Sequence, residues 1–144
     1  MAVTVKKITL WRKEVANHPG VLADVLSPLA GAGANLRVVM GYALPGQSDR
    51  AVIEVYPISG KKAVNAAGAA GLSTSPIPCL LVEGDDRMGL GADMARGIAA
   101  RGVNVSFLMG ETVGRKFSAI FGFRSDADAA IAAKAIKAAA KRKR

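Results

Sequence analysis

The residues best placed to do chemistry lie in two short turns of the same make. Asn17-His18-Pro19-Gly20 closes a strand-like stretch and opens an apolar helical pattern at Val21, and Asp86-Arg87-Met88-Gly89 does the same before Leu90. A helix start leaves backbone N–H groups without partners and carries the positive end of the helix dipole, so it favours a carboxylate. Gly20 and Gly89 have no Cβ, so a small ligand can come close to the backbone. Asn17 and Asp86 carry oxygens that can accept from an ammonium group. Together these are the two handles of an α-amino acid. Proline and glycine at such a turn also arise for purely local reasons, and Asn17 can equally serve as a helix cap.

The turns recur because the chain is duplicated. Asn17 to Asp24 returns 69 residues later as Asp86 to Asp93, and the register continues without a gap through Gly33/Gly102, Asn35/Asn104, Met40/Met109 and Gly41/Gly110. Eight of the aligned pairs from 17/86 to 41/110 are identical, which points to duplication rather than chance. Each turn is followed 18 residues later by an asparagine, Asn35 or Asn104, expected to open the next strand.

Other chemistries find less support. His18 is the only histidine and has no second ligand or carboxylate at motif spacing, so it reads as a partly exposed turn residue; no metal site and no cofactor is expected. Cys79 is the only cysteine, which excludes an intramolecular disulfide, suits a reducing cytoplasm and reads as a small core residue. Trp11, Phe117, Phe121 and Phe123 fall in strand-like segments, where packing explains them better than base stacking. No Ser/His/Asp or Cys/His set and no phosphate loop with a following lysine is present, so an enzyme is not expected.

The 144 residues are 51% hydrophobic and 22% charged, ample material for a shared core in two copies of about 70 residues, each small enough to be marginal alone. No run is apolar enough to span a membrane, and the N-terminus alternates where a signal peptide would be continuously apolar. The formal net charge of +9 raises a nucleic-acid partner as an alternative: a ferredoxin-like module using the basic C-terminal tail. Four of those charges sit in Lys141-Arg142-Lys143-Arg144, leaving +5 scattered over the rest, so a solvated tail is the simpler reading.

The elements that must position the turns follow from periodicity. Residues 8–12 alternate like a half-buried strand. Val21, Val25 and Leu29 mark a helix packed on a sheet, ended by Gly31 and Gly33, with Pro28 predicting a kink or an early stop. Leu36–Tyr42 and Arg50–Tyr56 flank Pro45-Gly46 as an antiparallel pair, Ser59 is a candidate cap for a weak helix over 60–70, and 72–78 is extended. The second copy repeats the order: strand 79–83, turn 84–88, a helix with Leu90, Met94 and Ile98 inward, strands 103–109 and 116–123, and a last helix capped by Ser125 with Asp128. Each copy is therefore an α+β unit of the split βαβ, ferredoxin-like kind, with both helices on one face of an antiparallel sheet. Copy two lacks a fourth strand. At the 69-residue offset, 72–76 correspond to 3–7, so the N-terminal residues are expected to complete the second unit. The domains read as 1–76, 77–140 and a basic tail at 141–144.

The stretches 17–22, 30–36, 86–89 and 100–105 resemble those of ACT domains, the small regulatory modules that sense amino acids, and the likeness covers nearly the whole chain. The resemblance implies two ACT-like units packed side by side into a continuous sheet of about eight strands. It implies an effector, most simply an amino acid, held where the first turn of one unit meets the second strand of its neighbour. Its site residues carry over to Asn17, His18, Pro19, Gly20, Val21, Leu22 and Asn35 in copy one, and to Asp86, Arg87, Met88, Gly89, Leu90 and Asn104 in copy two. Arg87 stands in the place of His18 and Met88 in the place of the proline, which leaves the second turn less rigid; Gly91 gives it extra room. The implied role is regulatory and non-enzymatic, in the cytoplasm, with a homodimer and a regulated enzyme or transcription factor as the expected partners.

Overall fold

The structure is a computed structural model describing residues 3–141. Eight strands and four helices follow one another as β1 (Thr4–Ile8), β2 (Trp11–Ala16), α1 (Val21–Gly31), β3 (Val38–Leu44), β4 (Gln47–Tyr56), α2 (Lys61–Ala69), β5 (Ser73–Thr74), β6 (Cys79–Asp85), α3 (Leu90–Ala99), β7 (Phe107–Val113), β8 (Lys116–Gly122) and α4 (Asp126–Ala140). The chain divides into two compact units. One is Thr9–Pro76; the other joins the described residues up to Ile8 with those from Ile77 onward.

Both units have the same antiparallel strand order. In the first-copy unit it is β3-β4-β2-β5, and in the second-copy unit β7-β8-β6-β1, so the place that β5 fills in one is filled by the N-terminal strand in the other. β1 pairs with β6 over five residues, from Thr4 opposite Glu83 to Ile8 opposite Cys79. β5 pairs with β2 only at Ser73 and Thr74. Backbone pairing thus forms two sheets of four, where the resemblance implies strands running on into one of about eight.

Strand alternation sends every second residue to the helix side. In the first-copy unit Val15, Ile53 and Val55 meet Val25 and Leu29 of α1 and Ala67 of α2 in one core. In the second-copy unit Leu80, Val82, Ala119 and Phe121 meet Met94 and Ile98 of α3 and Ala132 and Ile136 of α4. Each large aliphatic side chain so buried contributes about 1.5–3 kcal/mol. The alanine-rich α4 packs through small side chains, and Gly97 of α3 lets the helices close up, since a Cβ there would sit 3.3 Å from the Ala135 carbonyl oxygen. No helix among the described residues is long and apolar enough to cross a membrane.

Several boundaries differ from the sequence expectation. The single strand expected at 8–12 is two, with Ile8 ending β1 and Trp11 beginning β2 in the other sheet; between them Leu10 is wholly buried and its carbonyl accepts from Ser75 N–H at 2.7 Å. α1 passes through Pro28, on its exposed side, to Gly31, so the proline costs the helix one i→i−4 bond without ending it. The α2 N-cap is Gly60, with no side-chain cap, so Ser59 does not serve there. β7 starts at Phe107 instead of Val103, because Val103 N–H still bonds back to the Ile98 carbonyl, 3.4 Å away, at the end of α3. Ser125 does cap α4: its Oγ accepts from Asp128 N–H at 3.1 Å. Arg142 to Arg144, most of the basic tail, lie outside the described residues.

Candidate functional site

The first turn is built on Gly20. It is the α1 N-cap at φ 94°, a left-handed conformation that an L side chain adopts only at a cost, and no side chain caps the helix. Asn17 is therefore not the cap. It ties the turn to the β3–β4 hairpin: its N–H donates to the Asp49 carbonyl at 2.8 Å and its Nδ2 to the Ser48 carbonyl at 3.0 Å. Its amide oxygen is left as an acceptor. In the first turn of α1, Val21 N–H is taken by the His18 carbonyl at 3.2 Å and Asp24 N–H by the Gly20 carbonyl at 3.0 Å, while the N–H groups of Leu22 and Ala23 have no backbone acceptor among the described residues. His18 is exposed, and its Nδ1 lies 2.9 Å from the Pro19 carbonyl oxygen.

Beside this turn is a cleft of about 200 Å³, lined by Asn17, by Val21 and Leu22 of α1, by 41–43 of β3 and by 51–53 of β4. The space exists because residues facing the helix there are small: Gly41, Ala43 and Ala51. A Cβ added at Gly41 would meet nothing within 4 Å. Exposed Leu22 stands at the rim. Sequence reasoning placed Asn17, Val21 and Leu22 at the site but missed the strand residues, whose only signal was Gly41 and Ala43 alternating with larger side chains in β3.

Asn35 does not join this cleft. α1 is 11 residues long, about 16 Å from end to end, with the turn at one end and Asn35 beyond the other. The register agrees: Ala16, next to the turn, faces Arg50, whereas Val38, next to Asn35, faces Tyr56 at the far end of the sheet. Asn104 and Asp86 are separated in the same way, with Phe107 facing Gly122 and Asp85 facing Lys116. Within a unit, turn and asparagine cannot share one small ligand.

The second turn has the same backbone and different contents. Gly89 is the left-handed N-cap of α3 at φ 80°, Asp86 N–H donates to the Arg115 carbonyl at 2.8 Å, and Leu90 is buried. Arg87 folds over the helix start. Its Nη1 lies 2.9 Å from Asp93 Oδ2 and its Nη2 donates to the Ala139 carbonyl, 3.3 Å away in the last turn of α4, while Arg96 Nη2 holds the other Asp93 oxygen at 3.0 Å. The guanidinium thus ties the start of α3 to the last turn of α4. Met88 is 91% exposed.

A buried charge lies on the helix-free face of the first-copy sheet. Glu54 is 3% exposed, with Arg12 Nε 3.9 Å from its Oε1 and the Tyr42 hydroxyl donating to its Oε2 at 3.4 Å. Burial pushes the Glu54 carboxyl above the ordinary carboxylate range, against the lowering effect of Arg12 and of the Tyr42 hydrogen bond. The Tyr42 hydroxyl is raised in turn, first by burial and then by the Glu54 charge. Among the described residues no three acidic, histidine or cysteine side chains gather as a metal site, and the Cys79 thiol is buried, its Sγ 3.3 Å from the Ile77 carbonyl oxygen.

No protein-family model and no curated protein matches the chain. Solved structures do. A protein from Bacteroides thetaiotaomicron is similar over 92% of this chain and 88% of its own, at 15% identity and a TM-score of 0.73. The ligand-free regulatory subunit of aspartate kinase from Thermus thermophilus is similar over 96% of this chain and 97% of its own, at 18% identity and a TM-score of 0.63. Aspartate kinase from Clostridium acetobutylicum is similar over 95% of this chain and 34% of its own, at 13% identity and a TM-score of 0.63. With two units of one strand order, one reading βαββαβ along the chain and the other completed by the N-terminal strand, the chain has the α+β fold of these solved structures.

Proposed function

We propose that this chain is a non-enzymatic regulatory protein that binds an amino acid at the first turn and passes the event to a partner enzyme or transcription factor. One observation carries the reading: the first turn sets the open N–H groups of Leu22 and Ala23 and the amide oxygen of Asn17 beside a cleft of about 200 Å³. A carboxylate suits the amides, an ammonium suits the oxygen, and the side chain enters the cleft. The likeness of fold to the regulatory subunit of aspartate kinase supports the regulatory role. The effector acts by favouring one packing of α1 against β3 over another, and its differential affinity for the two sets the size of the response. The lone buried thiol of Cys79 suits a reducing cytoplasm. A homodimer is the assembly this reading carries forward.

A thermal-shift panel of the common amino acids tests it. Ligand at about a hundred times its dissociation constant adds roughly 2.7 kcal/mol to the folded state. For a chain of this size that is a shift of about 5–10 °C. Gly20→Val, which forces a β-branched side chain into the left-handed region, should abolish the shift. No shift with any amino acid overturns the reading, and a shift that survives Gly20→Val moves the site elsewhere.

A further inference from the structure

Ladder register gives each cleft residue its counterpart in the second copy. Ala51 faces Val15 and Ala43, and Phe117 faces Gly84 and Thr112, with both neighbours displaced by the 69-residue repeat. Ala51 and Phe117 are thus the same position. Gly41, opposite Ile53, corresponds likewise to Gly110, opposite Ala119. A Cβ on Gly41 would enter open space, whereas one on Gly110 would meet Ala119 Cβ at 3.4 Å and Phe117 Cε2 at 3.8 Å. The place that is empty in the first-copy unit is occupied by a phenyl ring in the second.

We propose that Ala51 determines specificity: it holds open a place for the apolar side chain of the effector, and the chain binds one effector, in the first-copy unit, because Phe117 fills the matching place in the other. The inference rests on the amino-acid reading above and narrows it to a ligand class. No charged side chain lines the cleft, and its walls are Val21, Leu22, Ala43, Val52 and Ile53. A charged effector side chain buried there would find no partner, at a cost that excludes it. An aliphatic or phenyl side chain fits both the lining and the ring that occupies the second copy.

Isothermal titration of the full chain with L-valine, L-leucine and L-phenylalanine, against L-lysine and L-aspartate, tests this directly. The expected result is one equivalent per chain, at least one apolar amino acid bound more than tenfold tighter than either charged one, and a further loss of more than tenfold in Ala51→Phe. Ala51→Val, a smaller step, should weaken binding by an intermediate amount and guards against misfolding of the larger variant. In the unsubstituted protein, amide chemical shifts of Gly41 and Ala51 should move on titration while those of Gly110 and Phe117 stay. Two equivalents per chain, preference for a charged amino acid, unchanged affinity in both variants, or shifts confined to the second copy would each overturn the proposal while leaving an amino-acid regulator in place. Binding of no amino acid at all would remove the regulatory reading itself.

Discussion

Arg87→Met tests the claim that Arg87 ties the second turn to Asp93 and to the end of α4. The substitution keeps the length of an apolar stem and removes the guanidinium, so it separates charge from packing. Arg87 and Asp93 side chains are 18% and 8% exposed, and removing one partner of a buried pair costs about 3–5 kcal/mol. Arg96 stays on the other carboxylate oxygen, which holds the cost to the low end, while the lost hydrogen bond to Ala139 adds about 0.5–1.5 kcal/mol. A total near 4 kcal/mol corresponds to a fall in melting temperature of about 10–15 °C. Urea unfolding followed by far-UV circular dichroism measures it, with Asp93→Asn alone and in combination to complete a double-mutant cycle. The two changes share one network, so their effects should fall short of additive by more than about 1 kcal/mol. Asp24 is the copy-one counterpart of Asp93; it is exposed, so Asp24→Asn should change stability by less than about 0.5 kcal/mol. An Arg87→Met protein as stable as the parent, or strictly additive substitutions, would refute the argument.

Three further outcomes are expected. Ser125→Ala removes the acceptor for Asp128 N–H at the start of α4 and should cost about 1 kcal/mol by chemical denaturation, whereas Ser59→Ala, which caps nothing, should cost less than about 0.5 kcal/mol. Glu54 has its carboxyl raised by burial, so the folded state holds its proton more tightly than the unfolded one; that contribution is present in acid and lost as pH rises through the raised value. Glu54→Gln stays neutral throughout, so it should melt higher than the parent near pH 7, with the difference closing toward about pH 4, and a gap that is flat or widens in acid would contradict the burial argument. Removing residues 1–8 takes away the ladder partner of β6, so amide exchange should quicken along Cys79–Glu83 and the second-copy unit should melt lower.

The elements that were legible from sequence are those set by local chemistry. The stripe Leu90, Met94, Ile98 places all three side chains in the core, and the spacing of Ser125 and Asp128 yields the cap it predicts. Where sequence reasoning slipped, a long-range bond decides the matter. Asn17 has the chemistry of a cap but is drawn to the Ser48 carbonyl, 31 residues away, and a left-handed glycine takes over the helix start. Ile8 and Trp11 look like one strand and belong to two sheets, because pairing partners are chosen by register across the fold and not by alternation along the chain.

The same division separates the two turns. From sequence alone come the duplication, the strand–turn–helix order of each copy, the glycine at each helix start and the α+β class, all of which depend on residues near one another in the chain. Only the tertiary structure decides that an apolar cleft opens beside one turn while a phenyl ring takes the matching place in the other copy. That outcome depends on whether Ala51 or Phe117 stands beside a glycine on the neighbouring strand, and on whether an arginine finds a buried carboxylate and the far end of another helix. Those are matters of volume and charge between distant segments, which a repeat read along one dimension does not contain.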